Sequence, residues 1–179
     1  MFEAVRIVRL DEAGGPERWR GEIEAIFFAN AGTKDFASED ERDAYRELWL
    51  GRYLRHCSAG CFVALTEDAA VAGYLAGTLV SNRDPLPGPD YYALFSPALI
   101  AAHPAHVHVN VREDVRGQRI GSKLMAAFRA LCLENRIAGL HAVRTADSRA
   151  ARFFIGCGLA ECAQVHWRGR PIVFLGESL

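Results

Sequence analysis

The sequence predicts an α/β fold in one domain spanning residues 1–179, with a sheet of about seven strands covered by about four helices. Three observations carry this expectation. The apolar period switches between two and 3.6 along the chain, in the order β-α-α-β-β-β-α-β-α-β-β. The second half alternates strand and helix, which requires helices packed on a sheet. A chain of 179 residues that is 50% hydrophobic and 24% charged can also build its core without a disulfide or metal staple.

Phe2–Leu10 alternates as a strand, and Pro16 then opens a helix whose apolar positions are Trp19, Ile23, Ile26 and Phe27. Ser38 and Glu41 have capping-box spacing ahead of a second helix carrying Tyr45, Leu48, Trp49, Leu50, Tyr53 and Leu54. The apolar runs Gly60–Thr66 and Val71–Val80 flank a polar turn at Glu67 and Asp68 and predict a hairpin. Ser81–Asp90 holds three prolines and a glycine and must be loop. A short helical piece is expected over Ser96–Ala102. Pro104–Val111 follows as a strand with Val107, Val109 and Val111 on one face and His106, His108 and Asn110 on the other. The stripe Ile120, Leu124, Met125, Phe128, Leu131 and Cys132 predicts a helix to about Asn135. A strand at Gly139–Arg144, a helix at Ser148–Gly156 capped by Asp147 or Ser148, and a hairpin turning at Arg168–Arg170 complete the chain.

Composition excludes several classes. A formal net charge of −1 argues against a broad nucleic-acid surface. The five cysteines are odd in number and form no CxxC pair, which favours reduced thiols in a cytoplasmic protein. The opening MFEAVRIVRLDE brings charge too early for a signal peptide. The longest uncharged run, Tyr91–Val111, contains two prolines, three histidines and Asn110, so no membrane span is expected.

The string VNVREDVRGQRIGSKLM, Val109–Met125, carries the chemistry. A β-branched strand runs through a charged turn and a glycine-containing loop into a long amphipathic helix. Successive backbone N–H groups of Arg116–Gly121, together with the positive end of the helix, make an anion cradle suited to phosphate. Gly117 and Gly121 permit close approach, and Ser122 adds a hydroxyl. Neither GxxxxGK[ST] nor GxGxxG is present. Charge is distributed accordingly. Residues 112–152 hold nine basic and four acidic residues, a balance of +5, whereas residues 1–111 hold ten against sixteen, or −6.

The segment resembles motif A of the GNAT acetyltransferases, Q/R-x-x-G-x-G/A after a strand, here Val109, Val111 and then R116-G-Q-R-I-G121. The next helix resembles that family's motif B, here D147-S-R-A150-A-R-F153-F154-I-G-C-G158-L159. The resemblance implies a GNAT fold: a mixed, mostly antiparallel sheet in which two neighbouring parallel strands splay, one ending near Val111 and the other near Arg144. It implies acetyl-CoA as co-substrate. Backbone groups of Val109 and Val111 would pair with the pantetheine arm. Arg116, Gly117, Gln118, Arg119, Ile120, Gly121 and Ser122 would hold the pyrophosphate, and Asp147, Ala150, Phe153 and Phe154 would flank the arm.

Two positions depart from the pattern. Arg119 replaces the first glycine of motif A and is expected to be already helical, where it adds a cation. Phe154 replaces the tyrosine that protonates the departing thiolate, and phenylalanine cannot donate a proton. Tyr91, Tyr92 and Ser148 are the substitute donors considered. For the base, His108 and His106 share a strand face and titrate near neutrality, with Asn110 as a substrate-orienting group. His-x-His is also zinc-ligand spacing, but no third ligand accompanies it, and no metal is expected. The acceptor site should come from the helices around Phe27–Tyr53, the loop Ser81–Asp90 and the hairpin with His166 and Trp167.

The expectation is transfer of acetyl from acetyl-CoA to a primary amine, on a small molecule or a peptide, by direct attack in a ternary complex. The alternative is a non-catalytic acyl-CoA-binding module. A homodimer is compatible with the sequence, which leaves oligomeric state and acceptor open.

Overall fold

The computed structural model describes residues 5–83 and 86–179. Residues 2–4 of the first expected strand and positions 84 and 85 of the Ser81–Asp90 loop lie outside the described residues. The strands are β1 (Arg6–Arg9), β2 (Phe62–Leu65), β3 (Val71–Thr78), β4 (Ala105–Val111), β5 (Gly139–Thr145), β6 (Ala160–Trp167) and β7 (Arg170–Ser178). They form one mixed sheet in the order β1-β2-β3-β4-β5-β7-β6, and β4 runs parallel to β5. The β1–β2, β2–β3, β5–β7 and β6–β7 pairs are antiparallel. The helices are α1 (Pro16–Asn30), α2 (Glu39–Arg46), α3 (Arg52–His56), α4 (Pro97–Ala102), α5 (Ile120–Glu134) and α6 (Arg149–Gly156). This is the expected GNAT architecture.

The chain groups into two compact units. One comprises residues up to Gly77 with His108–Phe128, and the other comprises Thr78–Val107 with Arg129–Leu179. In the first, Pro16 begins α1 as its composition dictates. The Ser38 hydroxyl accepts from the Glu41 N–H at 3.2 Å, while the Glu41 carboxylate accepts from the Ala37 N–H at 2.6 Å, one residue earlier than the usual capping box. Between α2 and α3 the helical run widens to a π-turn, Glu47–Gly51. The extra residue shifts the apolar phase, so that Leu50, Tyr53 and Leu54 are buried while Leu48 is left at the surface. Ile23, Leu50, Val63, Leu75, Leu124 and Phe128 form this unit's core. Gly77 is required there, because a Cβ at that position would lie 2.5 Å from the Phe128 ring.

In the second unit, Leu140, His141, Phe154, Phe174 and Leu175 are buried. The Ser148 hydroxyl caps α6, accepting from the Ala151 N–H at 3.0 Å. The helix ends in a Schellman motif: the Leu159 N–H donates to Phe154 O at 3.1 Å, the Gly158 N–H donates to Ile155 O at 2.9 Å, and Gly158 has φ +103°. The closing glycine of motif B is thus a helix stop that L side chains rarely adopt. Arg168 and Gly169, both at positive φ, make the two-residue turn of the β6–β7 hairpin.

Candidate functional site

The first unit contains the segment expected to form the cradle, Val109–Ser122. The Arg112 N–H donates to Ala72 O at 2.9 Å, so the backbone groups of alternate residues at the end of β4 face β3. Those of Val109 and Val111 consequently face away from β3. After β4 the chain makes a short 3₁₀ turn at Glu113–Val115 and enters α5 at Ile120. Gly117 has φ +83°, and a Cβ placed there would meet nothing within 4 Å.

Arg119 is at φ +60°, and its carbonyl accepts from the Lys123 N–H at 3.0 Å. It therefore occupies the cap position of α5 in the left-handed region. The expectation that it is helical is corrected: the loop must reverse its curvature to enter the helix, and that reversal falls on residue 119 itself. The next N–H groups, of Ile120 and Gly121, lie in the first turn of the helix, where the macrodipole favours an anion. Arg119 and Lys123 are exposed beside them. Arg112 is paired with Asp114 at 2.8 Å, which lowers the Asp114 carboxyl pKa below its usual value chiefly through that hydrogen bond. Arg116 donates to Glu113 at 3.1 Å and to the Asn30 side-chain oxygen at 2.7 Å.

The three polar residues of β4 do not form one group. His108 is half-buried between the rings of Trp49 and Tyr53, whose centroids lie 5.9 and 5.3 Å away in edge-on arrangements. The π-turn carries Trp49 to this position. Asn110 donates to the Tyr74 hydroxyl at 2.7 Å. His106 belongs to the second unit, where it is 1% exposed and stacks on His141 at 4.8 Å. His141 accepts from or donates to the Tyr92 hydroxyl at 2.7 Å through Nε2, and its Nδ1 lies 2.6 Å from His103 O. A carbonyl requires Nδ1 to carry the proton, so Tyr92 is the donor to Nε2. Burial lowers the His141 pKa to about 3 and keeps the ring neutral.

The second unit also carries the motif B positions. Asp147 is at φ +57° before the helix, Ala150 is exposed, and Phe153 is half-buried. Phe154 is 1% exposed beneath the Arg144 guanidinium, which lies 4.8 Å from its ring centroid. Arg144 also donates to Val107 O at 3.1 Å, at the β4 residue following the last one paired with β5. Of the substitute proton donors, Tyr92 is committed to His141, Ser148 caps α6, and Tyr91 is buried against Trp167. Trp167 in turn donates to Asp90 at 2.8 Å, which joins two of the segments expected to meet the acceptor. Asn30, Trp49 and Tyr53 fall within the helical run Phe27–Tyr53 expected to meet the acceptor, but neither they nor Arg144 were singled out as site residues by the sequence. Only Arg144, a cation at the end of a buried strand, carried a local signal.

The sequence matches the acetyltransferase (GNAT) family over residues 18–159. The chain belongs to the GNAT family. As a member it has the scaffold of acetyl transfer, and the family uses acetyl-CoA. Similar solved structures include SsHAT, at 22% identity and TM-score 0.70, with 99% of this chain and 98% of that one covered. PH1933 from Pyrococcus horikoshii OT3 has 14% identity and TM-score 0.70 over 98% and 99% of the two chains. The NatC complex bound to Gag peptide and CoA has 12% identity and TM-score 0.67 over 98% of each. At these identities the likeness is one of fold. No curated protein sequence matches the chain. Among the described residues no helix is long and apolar enough to cross a membrane, and no group of three or more His, Cys, Asp or Glu could hold a metal.

Proposed function

We propose that this GNAT protein acts as a single domain that transfers acetyl from acetyl-CoA to a primary amine by direct attack. The segment Gly117–Ser122 carries the proposal: a glycine at φ +83°, a left-handed cap at Arg119 and the α5 N-terminus follow one another within it, in the cationic part of the sequence. These features fit a diphosphate. Gly117–Ser122 would hold it, with Arg116 fixing the turn that leads into them; Val109 and Val111 would present backbone groups to the arm, and Asp147, Ala150, Phe153 and Phe154 are assigned by the motif alone. Bound there, acetyl-CoA supplies an activated acyl group.

The chain's own task is to move protons. An amine is protonated near neutrality and must lose a proton to attack, and His108 is the base we assign. His106 is sealed in a core and is assigned to packing, and Asn110 orients Tyr74. Phe154 offers no acid. A thiol of pKa about 8.5 leaves tolerably as thiolate, so turnover is slow rather than absent. The buried Phe154 also supports the second possibility, an acyl-CoA-binding module without turnover.

Titration calorimetry with CoA and thiol release from acetyl-CoA across a panel of amines test both. Binding with turnover is expected. Binding with no turnover on any amine favours the module, and no binding removes both. His108→Ala should lower kcat by about 10²-fold or more and flatten its pH profile near neutrality; unchanged kinetics would remove His108 from the mechanism.

A further inference from the structure

Resting on the CoA-dependent function proposed above, we propose that Asn30 is a positioning residue for cofactor binding. Arg116 then serves the cradle as a strut held by Asn30, acting through the backbone it fixes and not as a direct phosphate ligand.

Asn30 is the last residue of α1, yet its amide reaches two segments more than eighty residues away. Its Nδ2 donates to Ile26 O at 2.8 Å and, over a longer 3.4 Å, to Val111 O at the end of β4. Its Oδ1 accepts from Arg116 Nη2 at 2.7 Å. The amide orientation follows from these partners, because the flipped form would turn N–H groups toward the guanidinium and an oxygen toward two carbonyls. One side chain therefore ties α1, the end of β4 and the first residue of the cradle. The other arm of Arg116 reaches Glu113, whose side chain is 86% exposed, so that ion pair is screened and contributes little. Asn30 is the better-defined anchor. The end of α1 is itself fastened, since the Lys34 ammonium donates to Phe28 O and Ala29 O at 2.7 Å each. Both arms of Arg116 are thus spent within the protein. What they fix is the turn that delivers Gly117 and the α5 N-terminus.

A double-mutant cycle on CoA binding separates a strut from a ligand. CoA is titrated into the wild-type protein, Asn30→Ala, Arg116→Ala and the double variant at low and high salt, with Tm measured for each. For a strut, each single variant weakens binding by a similar factor, up to about ten- to hundredfold for losing a bond to a charged group. The double variant is no weaker than either single one. The salt dependence of binding is unchanged in Arg116→Ala, because no phosphate charge pair is lost. Should Arg116→Ala not fold, Arg116→Lys decides the matter: a strut predicts behaviour like Asn30→Ala, because a lysine lacks the two-armed fork, whereas a direct ligand predicts near-wild-type binding. Losses that multiply in the double variant, with a reduced salt dependence in Arg116→Ala, would overturn the inference while leaving the proposed function intact. Failure of the wild-type protein to bind CoA overturns both.

Discussion

Replacing Arg119 by glycine should stabilise the protein and weaken its hold on CoA. At φ +60° the residue lies in the left-handed region, where an L side chain costs about 1–2 kcal/mol. Glycine removes that cost but frees the unfolded chain, which returns about 0.5–1 kcal/mol. The balance favours the variant by about 0.5–1 kcal/mol, or about 1–4 °C in Tm for a chain of this size. The side chain is exposed, so no packing is lost to confuse the sum. Its charge is lost, however, beside the N–H groups that we assign to the pyrophosphate. A cation at such a surface site is worth a few tenths to about 1 kcal/mol, so CoA should bind about two- to fivefold more weakly, with a shallower dependence on salt. Arg119→Ala separates the two effects, since it keeps the backbone strain and loses the charge: CoA binding falls as in the glycine variant while Tm does not rise. Urea and thermal unfolding, with CoA calorimetry, read both quantities. A lower Tm for Arg119→Gly than for Arg119→Ala would refute the strain argument.

Three further outcomes follow from the packing. His141 titrates near 6.5 when unfolded and near 3 when folded, so between those values the unfolded chain binds the extra proton. Stability is therefore highest above about pH 6.5 and falls as pH drops toward 3, by up to about 1.4 kcal/mol per pH unit from this group; an equal slope in His141→Gln, followed by urea unfolding from pH 7 to 4, would remove it as the cause. Gly77→Ala should cost about 1–3 kcal/mol or more, because its Cβ would meet the Phe128 ring at 2.5 Å and Gly60 O at 3.0 Å; a chemical-denaturation midpoint at the wild-type value would show that the strand yields freely. Phe154→Tyr is expected to raise kcat for thiol release, since it restores a hydroxyl where the family places its acid; an unchanged kcat means that thiolate departure does not limit the rate.

The parts of the site that were legible in the sequence are those written within a few residues. Pro16, the Ser38 and Glu41 pair, the Ser148 cap and the glycine of the α6 stop each act on backbone groups one to five positions away, and each is found where its chemistry places it. The strand, glycine turn and helix start of Val109–Ser122 were legible for the same reason, since they are consecutive. The sign of φ at Arg119 was not, although it too is local, because a helix beginning one residue earlier satisfies the same residue preferences. The π-turn also escaped the periodic pattern: Leu48, Trp49 and Leu50 are all apolar, and only packing decides which of them points inward.

The sequence by itself determined the order of strands and helices, the family and the succession of strand, glycine turn and helix start over Val109–Ser122, because periodicity, caps and glycine act through neighbours in the chain. The tertiary structure alone separated the two strand histidines. His106 and His108 are equivalent by alternation, but one stacks on His141, 35 residues further along, and the other stands between two rings of the α2–α3 run. It alone also joined Asn30 to Arg116. Contacts across such separations depend on where a helix ends against a strand, a crossing that no local pattern of side chains records.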